Sequence, residues 1–128
     1  MKKISLLLLL FIVLFGLLGC TRGSGIVRKS KEHNTPTKMS MTYEKFTGYR
    51  ETEIKVDEDE PVDVLVDFVT EDGTINAYIS KDNDKVSCDY EGHDVQTSSF
   101  TVTLSEQGTY TIRVDADAHK GSYLFSWE

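Results

Sequence analysis

Two prolines, two cysteines, one tryptophan and three histidines are all that this 128-residue chain holds of those types. Each shortage excludes something. Cys20 and Cys88 alone cannot make a disulfide framework. His33, His93 and His119 stand far apart, and no cysteine pair has zinc spacing, so no H-E-x-x-H helix or zinc ribbon can be drawn. There is no G-x-S-x-G nucleophile elbow, since Gly23-Ser24-Gly25 lies in a polar stretch, and no glycine-rich loop leads into a helix to cradle phosphate. Beyond residue 19 no segment repeats apolar residues at helical spacing, and no internal repeat is visible. Positive charge is scarce: between residues 38 and 128 twenty acidic residues face eight basic ones. Such a surface repels nucleic acid, so no nucleic-acid partner is expected.

Carboxylates are plentiful, but a glycosidase needs two of them about 5–10 Å apart in a cleft. Residues 38–128 supply one core and little material for a cleft. No enzymatic activity, catalytic residue, cofactor or bound metal is therefore expected.

What is present begins with the one long apolar run. Lys2 and Lys3 precede Ile4 to Leu18, which is apolar except for Ser5 and Gly16. A transmembrane helix needs roughly 20 such residues, so the run fits the core of a secretion signal better. It ends in Leu17-Leu18-Gly19-Cys20. This resembles the bacterial lipobox. The resemblance implies cleavage before Cys20, diacylglycerol on the Cys20 thiol, and a cell-membrane location with the domain on the extracytoplasmic side. Two acyl chains hold stably where one holds marginally. The position after the lipidated cysteine is Thr21 rather than Asp, so the usual inner-membrane retention signal is missing.

The expected organisation is a signal segment at 1–19, the lipidated cysteine and a disordered tether at 20–37, and one domain at 38–128. The tether reading rests on TRGSGIVRKSKEHNTPT, which offers little to bury. Its surplus of Arg22, Arg28, Lys29 and Lys31 over Glu32 is expected to lie beside the membrane, with the acidic domain held away from it.

From Lys38 onward the period is two, the signature of strands. Met39, Met41 and Tyr43 alternate with polar residues, and Arg50, Thr52, Ile54 and Val56 alternate with Glu51, Glu53 and Lys55. Val62, Val64, Val66 and Phe68 follow, then a turn signal at Glu71-Asp72-Gly73, then Ile75, Ala77 and Ile79. Val86, Cys88 and Tyr90 share a face, so Cys88 reads as a small core residue. Phe100, Val102 and Leu104, then Tyr110, Ile112 and Val114, then Tyr123, Phe125 and Trp127 complete the set. About eight short strands with turn signals between them predict an all-β antiparallel sandwich of Greek-key or jelly-roll type. Val64, Val66, Phe68, Phe100, Val102, Ile112 and Val114 are expected inside. Asp63, Asp67, Thr101, Thr103 and Arg113 are expected outside.

Leu104 to Tyr110 looks like a tyrosine corner, in which a tyrosine entering a strand bonds back to the backbone of the preceding corner. The larger stretch GTYTIRVDADAHKGSYLFSWE resembles the end of bacterial pre-peptidase C-terminal domains. The resemblance implies a small non-catalytic sandwich module, although here no catalytic domain accompanies it.

Three acidic segments could offer oxygen ligands to Ca²⁺: Asp57 to Glu60, Asp82-Asn83-Asp84, and Asp115 with Asp117. None has the EF-hand pattern, and solvated turns are the plainer reading; His93 and His119 are read the same way. Tyr123, Phe125 and Trp127 could form a sugar platform but read better as core. Tyr49 and Tyr78 lie out of phase with the apolar sets of their strands, which makes them candidates for surface contacts. The expectation is thus a lipid-anchored monomer of the cell envelope that binds an envelope protein or glycan. The alternative is a calcium- or carbohydrate-binding accessory protein of an envelope enzyme.

Overall fold

A computed structural model of the chain describes residues 21–82 and 88–127. The signal segment, Cys20, Asn83, Asp84 and Val86 lie outside the described residues. Among the described residues seven strands form: β1 (Arg22–Arg28), β2 (Lys31–Thr35), β3 (Lys38–Val56), β4 (Val62–Lys81), β5 (Cys88–Gly92), β6 (Ser98–Leu104) and β7 (Gly108–Trp127). All pairings are antiparallel. β7 lies at the centre, flanked by β3 and β4 along most of its length.

The connections show how this sheet is shaped. Val56, ending β3, pairs with Gly108 at the start of β7. Val64, near the start of β4, pairs with Trp127 at the other end of β7. A straight strand of 20 residues would separate those ends by about 65 Å at its usual rise. Residues 57–61, which must bridge them, reach roughly 20 Å at most. The sheet is therefore doubled over. Its front layer is β1, residues 45–56, 108–117 and 74–81, and β5. Its back layer is β2, residues 38–43, 120–127 and 62–70, and β6. Tyr90 of β5 meets Phe100 of β6 across the gap, ring centroids 5.0 Å apart.

The sandwich reading thus holds, but the strands are fewer and longer than expected, because three pairs of them are continuous. Glu71-Asp72-Gly73 is not a hairpin turn. It is a bulge inside β4, with register shifts between Thr70 and Thr74. A matching pair of shifts lies where Tyr43 to Gly48 of β3 meets Gly121 to Ala116 of β7: the first puts an extra residue in β3, the second one in β7. Each bulge inserts an unpaired residue and bends its strand. The buried set accordingly changes parity at the crease: Val64, Val66 and Phe68 give way to Ile75, Ala77 and Ile79, and Met39, Met41 and Tyr43 to Phe46, Ile54 and Val56. Gly73 is needed there for close approach. Its φ is +73°, and a Cβ on it would stand 2.0 Å from the Ala118 carbonyl oxygen.

Among the described residues twenty-one apolar side chains form one core between the layers. Tyr123, Phe125 and Trp127 belong to it, as the strand phase predicted. Val64, Val66, Phe68, Ile112 and Val114 are buried; Phe100 and Val102 are half-buried because β6 is an edge strand. Asp63, Thr101 and Thr103 are exposed, whereas Asp67 and Arg113 are half-covered. Cys88, on the edge strand β5, is half-buried. The tyrosine corner is present: the Tyr110 hydroxyl donates to the Glu106 carbonyl at 2.7 Å.

The stretch 21–37 departs from the tether reading. Residues 22–28 and 31–35 pair in register with β3 as outer strands of the two layers. Their side chains are nearly all exposed. An edge strand can be held by its backbone ladder and a few ion pairs, so it shows no apolar periodicity. Arg50 Nε sits 2.7 Å from Glu32 Oε2, and Arg22 Nε 3.2 Å from Glu51 Oε1. The basic residues are also scattered: Lys29, beside Glu44, lies at the crease, at the opposite end of β1 from Arg22. Charged side chains on such edges discourage pairing with other chains.

Candidate functional site

Residues paired across a sheet share a face, and the front layer's register assembles one row from all five strands. Arg22 pairs with Glu51, Glu51 with Arg113, Arg113 with Tyr78, and Tyr78 with Glu91. Two residues along each strand, Ser24, Tyr49, Asp115 and Asn76 form a second row on the same face. Both rows point outward, since the alternate residues of the same strands, Thr52 and Ile54, Ile112 and Val114, and Ala77 and Ile79, are buried.

Arg113 is the centre of this face. Its Nε lies 3.1 Å from Asp115 Oδ2 and its Nη2 2.9 Å from Asp115 Oδ1. Nη1 lies 3.5 Å from Glu51 Oε2, and the guanidinium stacks over the Tyr49 ring, 4.3 Å from its centroid. The hydrogen bonds that Arg113 donates to Asp115 raise its pKa above the ordinary value, although burial acts against them. A fork-shaped cation held on three sides is fixed in direction as well as in charge. Tyr78, on the other side of Arg113, meets His93 edge-on at 5.9 Å, and His93 Nε2 is 2.8 Å from Glu91 Oε1. Burial, then the nearby Asp115 and Glu91 carboxylates, push the Tyr78 hydroxyl's pKa up, so it stays a neutral donor. The Asn76 side-chain carbonyl accepts from the Asp94 amide at 2.8 Å, which orients the carboxamide.

The face thus brings together Tyr49 and Tyr78, which strand phase had singled out. It adds Arg113, Glu51 and Arg22, which it had not. The signal for these exists only in the pairing of strands far apart in sequence. Neutralisation across the face is incomplete: Glu51, Glu53, Asp115 and Glu91 surround Arg22 and Arg113. The arrangement offers fixed donors and acceptors beside aromatic rings, with no nucleophile paired to a base.

The other candidates fare differently. Among the described residues no group of three or more His, Cys, Asp or Glu side chains gathers as metal ligands. Asp57 to Glu60 make an exposed turn, Asp115 is taken by Arg113, Asp117 is exposed, and the segment 82–84 lies mostly outside the described residues. His33 and His93 are exposed. His119 is a correction: it is fully buried, because the β7 bulge turns it inward at the crease. The lipidation candidate, Cys20, lies outside the described residues.

No protein-family model matches the chain, and no curated protein matches it in sequence. Among solved structures, it is similar to a pre-peptidase C-terminal domain of a Bacillus anthracis collagenase, at 14% identity and TM-score 0.45, covering 87% of this chain and 90% of that one. It is similar to the module TmCBM61, solved with β-1,4-galactotriose, at 15% identity and TM-score 0.49, covering 84% and 87%. A family 35 carbohydrate-binding module from Clostridium thermocellum gives 13% and 0.42, covering 84% and 95%.

Proposed function

We propose that this chain is a non-enzymatic binding module, a monomer held on the extracytoplasmic side of a cell membrane by lipid on Cys20. We further propose that its front face binds a neutral glycan. The observation that carries the glycan reading is Arg113, pinned by Asp115, Glu51 and Tyr49 beside the Tyr78 ring. A saccharide has an apolar face to lay on a ring and hydroxyls that both donate and accept. It suits pre-oriented carboxylate, guanidinium and carboxamide groups. An anionic polymer meets Glu51, Glu53, Glu91 and Asp115 and is repelled. A purely apolar ligand leaves those groups stripped of water without partners, which is costly.

An open sheet face buries little of its ligand, so affinity per site is low, with Kd of about 1 mM, or about −4 kcal/mol. A glycan array with the soluble domain tests the reading. Binding of neutral oligosaccharides by the wild type, lost in Tyr78→Ala and Arg113→Ala variants that remain folded, supports it. Binding only to basic peptides, or to no glycan, sinks it. Running the array with and without Ca²⁺ separates the calcium version. For the anchor, fatty-acid labelling of the wild type and Cys20→Ser is decisive: equal labelling of the two removes the lipid reading.

A further inference from the structure

Among the described residues the layers leave four strands at their edges, β1 and β5 in front and β2 and β6 at the back. Three of them are blunted in ways that sheet edges commonly are. β1 carries Arg22 and Arg28, and β2 carries Lys31, Glu32 and His33. β5 is five residues long, holds Asp89 and Glu91, and pairs through a register shift. β6 has none of these devices. Its seven residues include no charge, glycine or proline, and its ladder with β4 runs unbroken from Ser98 to Leu104. Among the described residues β4 is the one strand that pairs with it. In an antiparallel ladder alternate residues turn their N–H and C=O away from the partner, so the outer edge of β6 presents a row of unpaired backbone groups.

We propose that this edge takes up an extended segment of another protein as an added strand, and that the segment carries basic residues at the spacing of Asp63 and Asp67 with apolar residues between them. The site is separate from the front face. Two rows of side chains set the pattern. On the inner side Phe100 and Val102 are half-buried, with the Tyr90 ring against Phe100. A strand laid beside β6 covers them with the side chains opposite these two. On the outer side Ser99 and Thr103 donate to the Asp67 and Asp63 carboxylates of β4. Thr101 lies between them beside Leu65, which is 55% exposed. Residues of the added strand opposite Ser99 and Thr103 stand two strand spacings, about 10 Å, from Asp67 and Asp63, a gap that a lysine or arginine side chain bridges. The order basic, apolar, β-branched, apolar, basic reads the same in both directions and so fits either orientation.

Charge chooses the occupant. Asp63, Asp67, Asp89, Glu91 and Glu106 lie on the β5–β6 side of the sandwich, and Lys81 there is already 3.4 Å from Glu106. Pairing two β6 edges would set two acidic sides against each other, which disfavours a second copy of this chain. A basic segment is drawn to the same side.

The experiment uses the full-length chain in non-ionic detergent and a capped peptide that reads lysine, valine, threonine, valine, lysine, with serine added at both ends. NMR should show shifted amide signals and slowed hydrogen exchange along β6, with β2 unchanged. Of two peptides methylated at alternate sets of backbone nitrogens, the one blocked on its pairing edge should fail to bind and the other should bind. Asp63→Asn with Asp67→Asn keeps acceptors for Thr103 and Ser99 and should weaken binding about fivefold at low salt, the effect of two exposed ion pairs. That difference should close at about 1 M salt. Equal affinity for a scrambled peptide, shifts at β2 or the front face in place of β6, or no binding of the patterned peptide overturns the proposal. Association of the protein with itself through β6 in the absence of peptide overturns it too, because a second copy is then the occupant.

Discussion

The Tyr43 hydroxyl lies 2.6 Å from Nδ1 of His119, wholly inside the crease. On the other side of the ring, Nε2 lies 2.9 Å from Thr70 Oγ1, which donates its own proton to the Val95 carbonyl at 2.7 Å. The direction of every bond follows. Thr70 Oγ1 has spent its proton, so Nε2 carries one and donates; Nδ1 is bare and accepts from Tyr43. The imidazole is neutral, and a second proton on Nδ1 has no acceptor while Tyr43 donates there.

Burial lowers the His119 pKa below its ordinary 6.5, outweighing the opposite pull of Asp94. The unfolded chain therefore binds a proton that the folded chain refuses. The resulting stability is complete above the unfolded value and is lost as pH falls from about 6.5 through the lower folded value. Urea midpoints between about pH 7.5 and about pH 5.5 should fall in the wild type. His119→Leu should be less stable at neutral pH, because Tyr43 and Thr70 lose their partner, yet show a flatter pH dependence. An unchanged slope in that variant would exclude His119 as the titrating group.

Two buried tyrosines should respond to the same substitution with opposite signs. Tyr110→Phe loses the bond to the Glu106 carbonyl and should cost about 1 kcal/mol. Among the described residues the Tyr123 hydroxyl has no partner. Tyr123→Phe removes a group whose burial is uncompensated, so stability should hold or rise by about 1 kcal/mol. Chemical denaturation of both variants checks the pair; a shared sign would refute the contrast.

Gly73→Ala should destabilise by about 2 kcal/mol or more, because a left-handed φ and a clash with the Ala118 backbone act together. Gly121→Ala should behave alike, its Cβ falling 1.8 Å from the Val69 carbonyl oxygen. If either variant matches the wild type in thermal melting, the crease geometry is looser than described.

Phe125 and Phe100 should separate by depth. Phe125 is fully buried, 5.7 Å from the Phe68 ring centroid, so Phe125→Ala should cost about 3–5 kcal/mol. That is most of the stability of a domain with roughly 5–10 kcal/mol in all. Phe100 is half-buried on an edge strand, and Phe100→Ala should cost clearly less. Equal denaturation midpoints would show that β6 is buried more deeply than its exposure indicates.

The pattern of alternate residues was legible wherever one face of a strand is core, which is why Val64, Ile112 and Phe125 were placed correctly. The bulges were not. Glu71-Asp72-Gly73 has turn composition, and nothing local tells a bend within one strand from a hairpin between two. His119 was read as solvated for the same reason: the parity change at the crease is set by pairing with β3 and β4. The outer strands 22–28 and 31–35 escaped notice because a backbone ladder leaves no side-chain signature. At the front face, strand phase marked Tyr49 and Tyr78 as outward. Their grouping around Arg113 depends on a register that joins residues as distant as Arg22 and Glu91.

Because β3, β4 and β7 each cross the crease, the two layers share three backbones. Sliding or separation of the layers would have to break strands rather than loosen side-chain contacts. The domain consequently has no half that can open alone. Amides at its centre, such as those of Val66 in the back layer and Ile79 in the front, should exchange with solvent only through the same whole-domain event. Local breathing is left to the edges, where β1, β2, β5 and β6 each lie in one layer only.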